Sequence, residues 1–324
     1  MKADSLVQLS IIIVNWNSKD YLEKCIASIL EAKSEVRFEI VVIDSGSFDG
    51  SCEMVKQCYP QIKFIQSDTN IGFAKANNAA FKASSGSHIL FLNPDTTVVG
   101  SAIDTMFSQM ENMPSAGAIG CKLLNADGSV QTSCIQSFPT ILNQLLNSDF
   151  LMGLFPKSRL WGMAPLFSAA KGPAEVEVLS GACIMMRRSL FEQIGLFSND
   201  YFMYAEDLDL CYKARQSGYK NYYIPNATIF HFGGGSTQRR PSDFAVVMMR
   251  ASVWRFLRKT RGQIYGLGYR CSLLISAIGR IGCLLGLLPL YLALGHLKSW
   301  QASARKWWAI SVWSLGLSEE IRAK

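Results

Sequence analysis

The sequence predicts an α/β fold: a mostly parallel central sheet with helices on both faces, followed by a helical C-terminal tail. Three observations carry this. Strand-like and helix-like segments alternate over residues 1–120, the pattern of βαβ units. The strand-like segments are continuous apolar runs, as a sheet covered on both sides requires. The character of the chain then changes at Arg239, where basic charge and apolar content rise together.

The elements follow in order. Residues 9–15 form a first strand, and the apolar run inside it, 11–14, is too short for a signal-peptide core. Residues 20–30 carry Tyr21, Leu22, Cys25, Ile26 and Ile29 at helical spacing. Strands are expected at 38–43, 62–65 and 88–92, with a helix at 73–83. Residues 149–173 mix Gly, Pro and large apolar side chains without a period, so they read as a long loop. Such a loop is either a functional lid or a satellite hydrophobic cluster. Residues 178–186 read as one strand in which Gly181 and Ala182 allow a close backbone approach. Residues 206–216 read as a short helix ending at Gly218.

The tail begins with Pro241 and Ser242, suitable helix-start residues. The helix after them interleaves Arg250, Arg255, Arg258, Lys259 and Arg261 with Phe244, Val247, Met248, Trp254 and Leu257. Residues 271–297 are strongly apolar, interrupted by Arg280 and Pro289, and four tryptophans follow. Two domains are expected, 1–238 and 239–324.

Composition excludes several classes. Of the 324 residues 49% are apolar and 18% charged, which is not the composition of a disordered chain. The net charge of +7 is a sum of unlike parts: residues 1–238 hold 18 Lys/Arg against 22 Asp/Glu, and residues 239–324 hold 14 against 3. A uniformly basic nucleic-acid binder is disfavoured. The nine cysteines are scattered, with no C-x-x-C pair, so neither a zinc ribbon nor a disulfide framework is expected, and a reducing cytoplasm suits the body. No G-x-G-x-x-G follows the first strand, which argues against a dinucleotide-binding dehydrogenase.

In parallel sheets ligands sit at the carboxyl ends of the strands. There the first strand carries Asn15-Trp16-Asn17, the second Asp44-Ser45-Gly46-Ser47 with Asp49 beyond, and the fourth Asn93-Pro94-Asp95. Asp44 and Asp49 suit a base or ribose contact, and equally a turn and a helix cap. Asp95 suits a hard cation that holds a diphosphate, with a turn residue as the lesser alternative. Glu206, Asp207 and Asp209 fall in one helical turn within an aromatic stretch. They favour the helix dipole, but three acids exceed what capping needs, and one can serve as a general base. His231 follows a predicted strand and precedes a run of glycines, as a ligand or as a structural histidine.

These stretches, with Asn70-Ile71-Gly72-Phe73-Ala74, 179–187 and 225–236, occur in the order of a known family. The sequence resembles the inverting glycosyltransferases of family 2, which have the Rossmann-like GT-A fold, and most closely their rhamnosyltransferase-like branch. The resemblance covers roughly residues 9–236. It implies that Asn15, Asp44, Asn70, Gly72, Lys75, Asn93 and Asp95 bind a nucleotide-sugar donor. It also implies that Asp95 and His231 hold Mg²⁺ or Mn²⁺, and that Asp207 is the catalytic base with Glu206 beside it near the acceptor. Asn93 stands where the family's metal motif has its first aspartate, which leaves a single carboxylate. The implied activity is transfer of a sugar, best matched by L-rhamnose from dTDP-rhamnose, to a glycan or polyprenyl-linked glycan in cell-surface polysaccharide synthesis. The alternative is a non-catalytic nucleotide-sugar or glycan-binding protein on the same fold.

The tail points to an anionic membrane surface rather than to nucleic acid. Residues 281–297 are 17 residues without a charge, about 25 Å of helix against a hydrocarbon core of about 30 Å. Nine basic residues precede this run and five follow it, so a single span would carry one basic cluster across. An interfacial or re-entrant helical tail on the cytoplasmic face of the inner membrane is therefore expected, with a buried helix covering the catalytic domain as the alternative.

Overall fold

A computed structural model describes residues 7–168, 171–233 and 243–317. The chain divides into two compact units. One comprises Met1–Phe138, Phe155–Phe202 and Glu206–Gln238; the other comprises Pro139–Leu154, Met203–Ala205 and Arg239–Lys324.

The strands of the first unit are β1 (Leu9–Asn15), β2 (Phe38–Ser45), β3 (Lys63–Ser67), β4 (His88–Leu92), β5 (Thr96–Val98), β6 (Ala116–Leu124), β7 (Ile135–Gln136), β8 (Ala174–Val176), β9 (Val178–Leu179), β10 (Cys183–Arg187) and β11 (Lys220–His231). Nine of them form one sheet in the order β3-β2-β1-β4-β10-β6-β11-β5, with β8 also on β11. Strands β3, β2, β1 and β4 pair in parallel. Strand β10 enters antiparallel between β4 and β6, and β11 returns parallel to β6. Strands β7 and β9 form a separate pair.

Every residue of β1 and β4 is buried, the reason these segments read as unbroken apolar runs. Helices α1 (Lys19–Glu31), α2 (Ser51–Cys58), α3 (Phe73–Lys82) and α4 (Ala102–Asn112) connect the early strands. Because side chains alternate along a strand, β10 shows that both faces are covered. Cys183 meets Met106 of α4. The register partner of Ile184, Phe91, lies instead on the other face, in an aromatic cluster with Phe191 and Phe197 at 4.9 and 4.8 Å between ring centroids.

The predicted strand at 178–186 is two strands. Residues Val178–Leu179 pair with β7, and Cys183–Arg187 joins the main sheet. A turn closed by the Cys183 N–H on the Ser180 carbonyl separates them. The stretch read as one long loop contains α6 (Asp149–Leu154), a 3₁₀ turn (Arg159–Trp161) and α7 (Ala164–Ser168), preceded by α5 (Ile141–Leu145). Pieces of one or two turns are too short to show a helical period. Helix α8 (Arg188–Gln193) follows β10, and α9 (Glu206–Gln216) has the predicted bounds.

In the second unit α10 (Asp243–Arg261), α11 (Gln263–Ala293) and α12 (Leu297–Ser314) pack with α5. The start signals Pro241 and Ser242 lie outside the described residues. Neither Arg280 nor Pro289 interrupts α11. Arg280 lies over the Trp307 ring at 4.4 Å, and Arg270 lies over Trp254 and Trp313 at 5.5 and 5.2 Å, cation–π contacts that cover the charge while the helix continues. With the bond from Trp300 Nε1 to the Leu284 carbonyl at 2.7 Å, these pairs set α12 antiparallel to α11. One face of α11 (Gly266, Tyr269, Leu273, Ala277) is buried, while Ile264, Leu267, Ile275, Ile278 and Leu285 form an exposed apolar stripe.

Candidate active site

Three adjacent strand ends of the first unit build one corner. Asn15 and Asp44 are register partners at the ends of β1 and β2, and Asn15 Nδ2 donates to Asp44 Oδ2 at 2.8 Å. Asp44 Oδ1 accepts from the Ser47 N–H at 2.8 Å and from Gln66 Nε2 at 2.9 Å. Gln66 is the register partner of Asp44 on β3. A carboxylate offers about four acceptor positions, so the protein uses three of them. Asn15 and Asp44 are fully enclosed, and Asn15 Oδ1 has no hydrogen-bond partner. Gln66 is exposed, so its side chain is the movable part of the corner. Asp49 does cap helices: it accepts from the N–H of Lys19 at 2.8 Å and of Ser51 at 3.1 Å.

Asn70 and Gly72 lie beside this corner. The Gly72 N–H donates to Asn70 Oδ1 at 3.0 Å, and the Ile71 N–H to Ser45 Oγ at 3.1 Å. Gly72 has φ +81°, and a Cβ there would lie 2.5 Å from the Phe202 carbonyl oxygen, so only glycine fits. Lys75 is exposed in the first turn of α3.

A second corner joins the β4–β5 turn to the end of β11. His231 pairs with Thr96, and the Phe232 N–H donates to the Asp95 carbonyl at 2.9 Å. That register brings His231 Nε2 to 3.3 Å from Asp95 Oδ1 and 3.4 Å from Asn93 Nδ2. No group of three or more His, Cys, Asp or Glu among the described residues could hold a metal. A carboxylate oxygen beside an imidazole nitrogen nevertheless fits Mg²⁺ or Mn²⁺. Magnesium normally takes one or two protein ligands and completes its shell with phosphate and water.

The third group opens α9. Glu206 is buried and its Oε2 has no hydrogen-bond partner. Asp207 is half-buried; its Oδ2 accepts from the Gly181 N–H at 3.0 Å and its Oδ1 from the Leu208 N–H at 2.8 Å. Burial raises both carboxyls, and the negative charge of Asp207 raises Glu206 further, the behaviour of two acids that cannot both ionise cheaply. Tyr204 and Ala205 just before them have φ of 68° and 64°, a left-handed pair rare outside glycine. Asp209 plays a structural part: it is buried and accepts from Ser198 Oγ.

The β9–β10 turn joins the last two groups. Gly181 holds Asp207, and the carbonyl of the next residue, Ala182, accepts the Asn93 N–H at 3.0 Å. The first unit thus gathers Asn15, Asp44, Asn93, Asp95, His231, Glu206 and Asp207 about the carboxyl ends of its parallel strands. Ser47 lies in the strand-end stretch singled out in the sequence, whereas Gln66 carries no signal beyond its place near a strand end and Gln131, whose Oε1 lies 2.7 Å from His231 Nδ1, carries none.

The profile of the family described as Glycosyl transferase family 2 matches residues 10–195. The chain belongs to glycosyltransferase family 2. It is 30% identical, over 72% of its length and 79% of the relative's, to an N-acetylglucosaminyl-diphospho-decaprenol L-rhamnosyltransferase of Mycobacterium tuberculosis. It is 25% identical to the rhamnosyltransferase WbbL of Escherichia coli (strain K12) over 68% of its length and 82% of the relative's. In structure it is similar to the mannosyltransferase PcManGT of Pyrobaculum calidifontis, solved with GDP-Man and Mn²⁺, with a TM-score of 0.56, 16% identity and coverage of 96% and 88%. It is also similar to GalNAc-T7, solved with UDP, GalNAc and Mn²⁺, with a TM-score of 0.55, 16% identity and coverage of 79% and 48%. The glycosyltransferase therefore has the GT-A fold expected from its sequence.

Proposed function

We propose that this glycosyltransferase moves L-rhamnose from dTDP-rhamnose to a polyprenyl-linked glycan, with inversion, at the cytoplasmic face of the inner membrane. The observation that carries the chemistry is the Gly181-Ala182 turn, which links a half-buried carboxylate to the Asp95–His231 corner. The two rhamnosyltransferase relatives support the sugar, and the name of the mycobacterial one supports the lipid-linked acceptor.

Asp207 takes the proton from an acceptor hydroxyl as that oxygen attacks the anomeric carbon. Its two backbone donors hold the carboxylate in place, and buried Glu206, carrying its own proton, keeps a second negative charge away from it. Asp44 receives the nucleobase once Gln66 swings out and frees its acceptor position. The Asn70–Gly72 turn lies along the donor, with Lys75 near the diphosphate. Asp95 and His231 would hold Mg²⁺ or Mn²⁺, whose charge neutralises the leaving diphosphate. A single displacement follows, with no covalent intermediate.

The second unit serves as the membrane contact. The exposed stripe on α11, flanked by the basic residues of α10 and α12, suits an anionic bilayer surface. In the same unit Leu142, Phe150 and Leu154 are also exposed. The test is a donor screen with purified protein, read as nucleoside-diphosphate release, with flotation of the full chain on anionic vesicles. Turnover of another donor in preference to dTDP-rhamnose refutes the sugar assignment, and failure to float refutes the membrane contact.

A further inference from the structure

We propose that Gln131, which follows β6 and is far in sequence from every other site residue, is a positioning residue. It fixes the ring of His231 so that Nε2 presents its lone pair to a divalent cation at Asp95. This rests on the reading of Asp95 and His231 as the metal corner.

The geometry assigns each atom. Gln131 Oε1 lies 2.7 Å from His231 Nδ1. The orientation of the Gln131 amide is set by its other end, where Nε2 donates to Asn125 Oδ1 at 3.0 Å and to the His231 carbonyl at 3.4 Å. Asn125 is oriented in turn, because its Nδ2 donates to Ser129 Oγ at 2.9 Å. The backbone is fixed too: the Gln131 N–H donates to the Leu123 carbonyl at 2.8 Å, and the Asn125 N–H to the Ser129 carbonyl at 2.8 Å. An amide oxygen only accepts, so Nδ1 must carry the proton. In the neutral ring Nε2 is then an acceptor, 3.3 Å from the carboxylate oxygen of Asp95. Two acceptors facing each other repel, unless a proton or a cation lies between them. Asn93 Nδ2, at 3.4 Å, reaches the same nitrogen only at the limit of a hydrogen bond. A ligating histidine whose second ring nitrogen donates to an oxygen is the usual arrangement at metal sites, and loss of that outer partner typically costs 10–100-fold in metal affinity or activity.

The chain has three histidines, so selective ¹⁵N-histidine labelling gives a spectrum that His231→Ala assigns. The wild type is expected to show His231 as the Nδ1–H tautomer at a pH where the ring is neutral. Gln131→Ala is expected to lose that preference and to weaken binding of Mn²⁺ alone, read by electron paramagnetic resonance, about 10–100-fold. Gln131→Glu keeps an acceptor facing Nδ1 and is expected to retain the Nδ1–H tautomer, although its second oxygen loses the donations to Asn125 Oδ1 and the His231 carbonyl. An unchanged tautomer and Mn²⁺ affinity in Gln131→Ala overturns the positioning role. If His231→Ala itself binds Mn²⁺ as the wild type does, the metal corner fails and the positioning role with it.

Discussion

Replacing Asp207 by asparagine removes a charge and turns one acceptor oxygen into an NH₂ group. In the protein both oxygens of Asp207 face backbone N–H groups, that of Gly181 at 3.0 Å and that of Leu208 at 2.8 Å. Whichever way the new amide turns, its NH₂ meets one of these donors. The loss of one hydrogen bond to a charged acceptor is worth about 1.5–3 kcal/mol. Part of this is returned, because Glu206 loses its negative neighbour. The expected cost to the fold is therefore about 1–2 kcal/mol, a few degrees of Tm. Removing a general base costs about 10²–10⁴-fold, equivalent to roughly 3–5 kcal/mol on the barrier. The assay compares kcat from nucleoside-diphosphate release with donor Kd by calorimetry and with Tm. The expected result is a kcat lower by at least about 10², with donor Kd within about threefold. A folded Asp207→Asn protein with kcat within tenfold of wild type refutes the base assignment. Loss of donor binding in step with kcat refutes it equally.

Three further outcomes follow from the same geometry. Burial and the charge of Asp207 lift Glu206 from 4.5 to about 8, so its contribution to stability is full below pH 4.5 and is lost as pH rises through about 8. Glu206→Gln removes that slope, on the order of 1 kcal/mol per pH unit, and parallel Tm–pH curves for variant and wild type contradict it. Gly72→Ala places a methyl 2.5 Å from the Phe202 carbonyl oxygen at a φ of +81°, and is expected to cost roughly 2–4 kcal/mol in chemical denaturation; a cost under about 1 kcal/mol runs against it. Gln66→Ala removes the amide that occupies Asp44 Oδ1 and is expected to tighten dTDP binding about 3–10-fold, the worth of about one hydrogen bond. Unchanged or weaker binding shows that Gln66 does not compete with the base.

Strands β1 and β4 were legible because every residue in them is buried, which leaves unbroken apolar runs. Helix α9 was legible at both ends, with acids in its first turn and Gly218 after its last. The stretch 178–186 misled because nothing in it but Gly181 marks a turn, and a small residue inside a strand reads equally well as close packing. The helices at 149–168 stayed hidden because five or six residues cannot display a period of 3.6. Among the site residues, acids at strand ends stood out, since a charge beside a buried run needs a reason. Gln66 and Gln131 did not, because an uncharged amide on a loop or strand end has no such cost. Their partners are 22 and 100 residues away in sequence, so only the fold reveals what they do.

The Gly181-Ala182 peptide acts as a yoke. One residue gives its N–H to Asp207 and the next gives its carbonyl to Asn93, and consecutive Cα atoms across a trans peptide are always about 3.8 Å apart. This one turn therefore ties Asp207 to Asn93 through two backbone hydrogen bonds, so that a shift of the turn moves both contacts together. One residue inserted into this turn would displace the Gly181 N–H from Asp207, the Ala182 carbonyl from Asn93, or both.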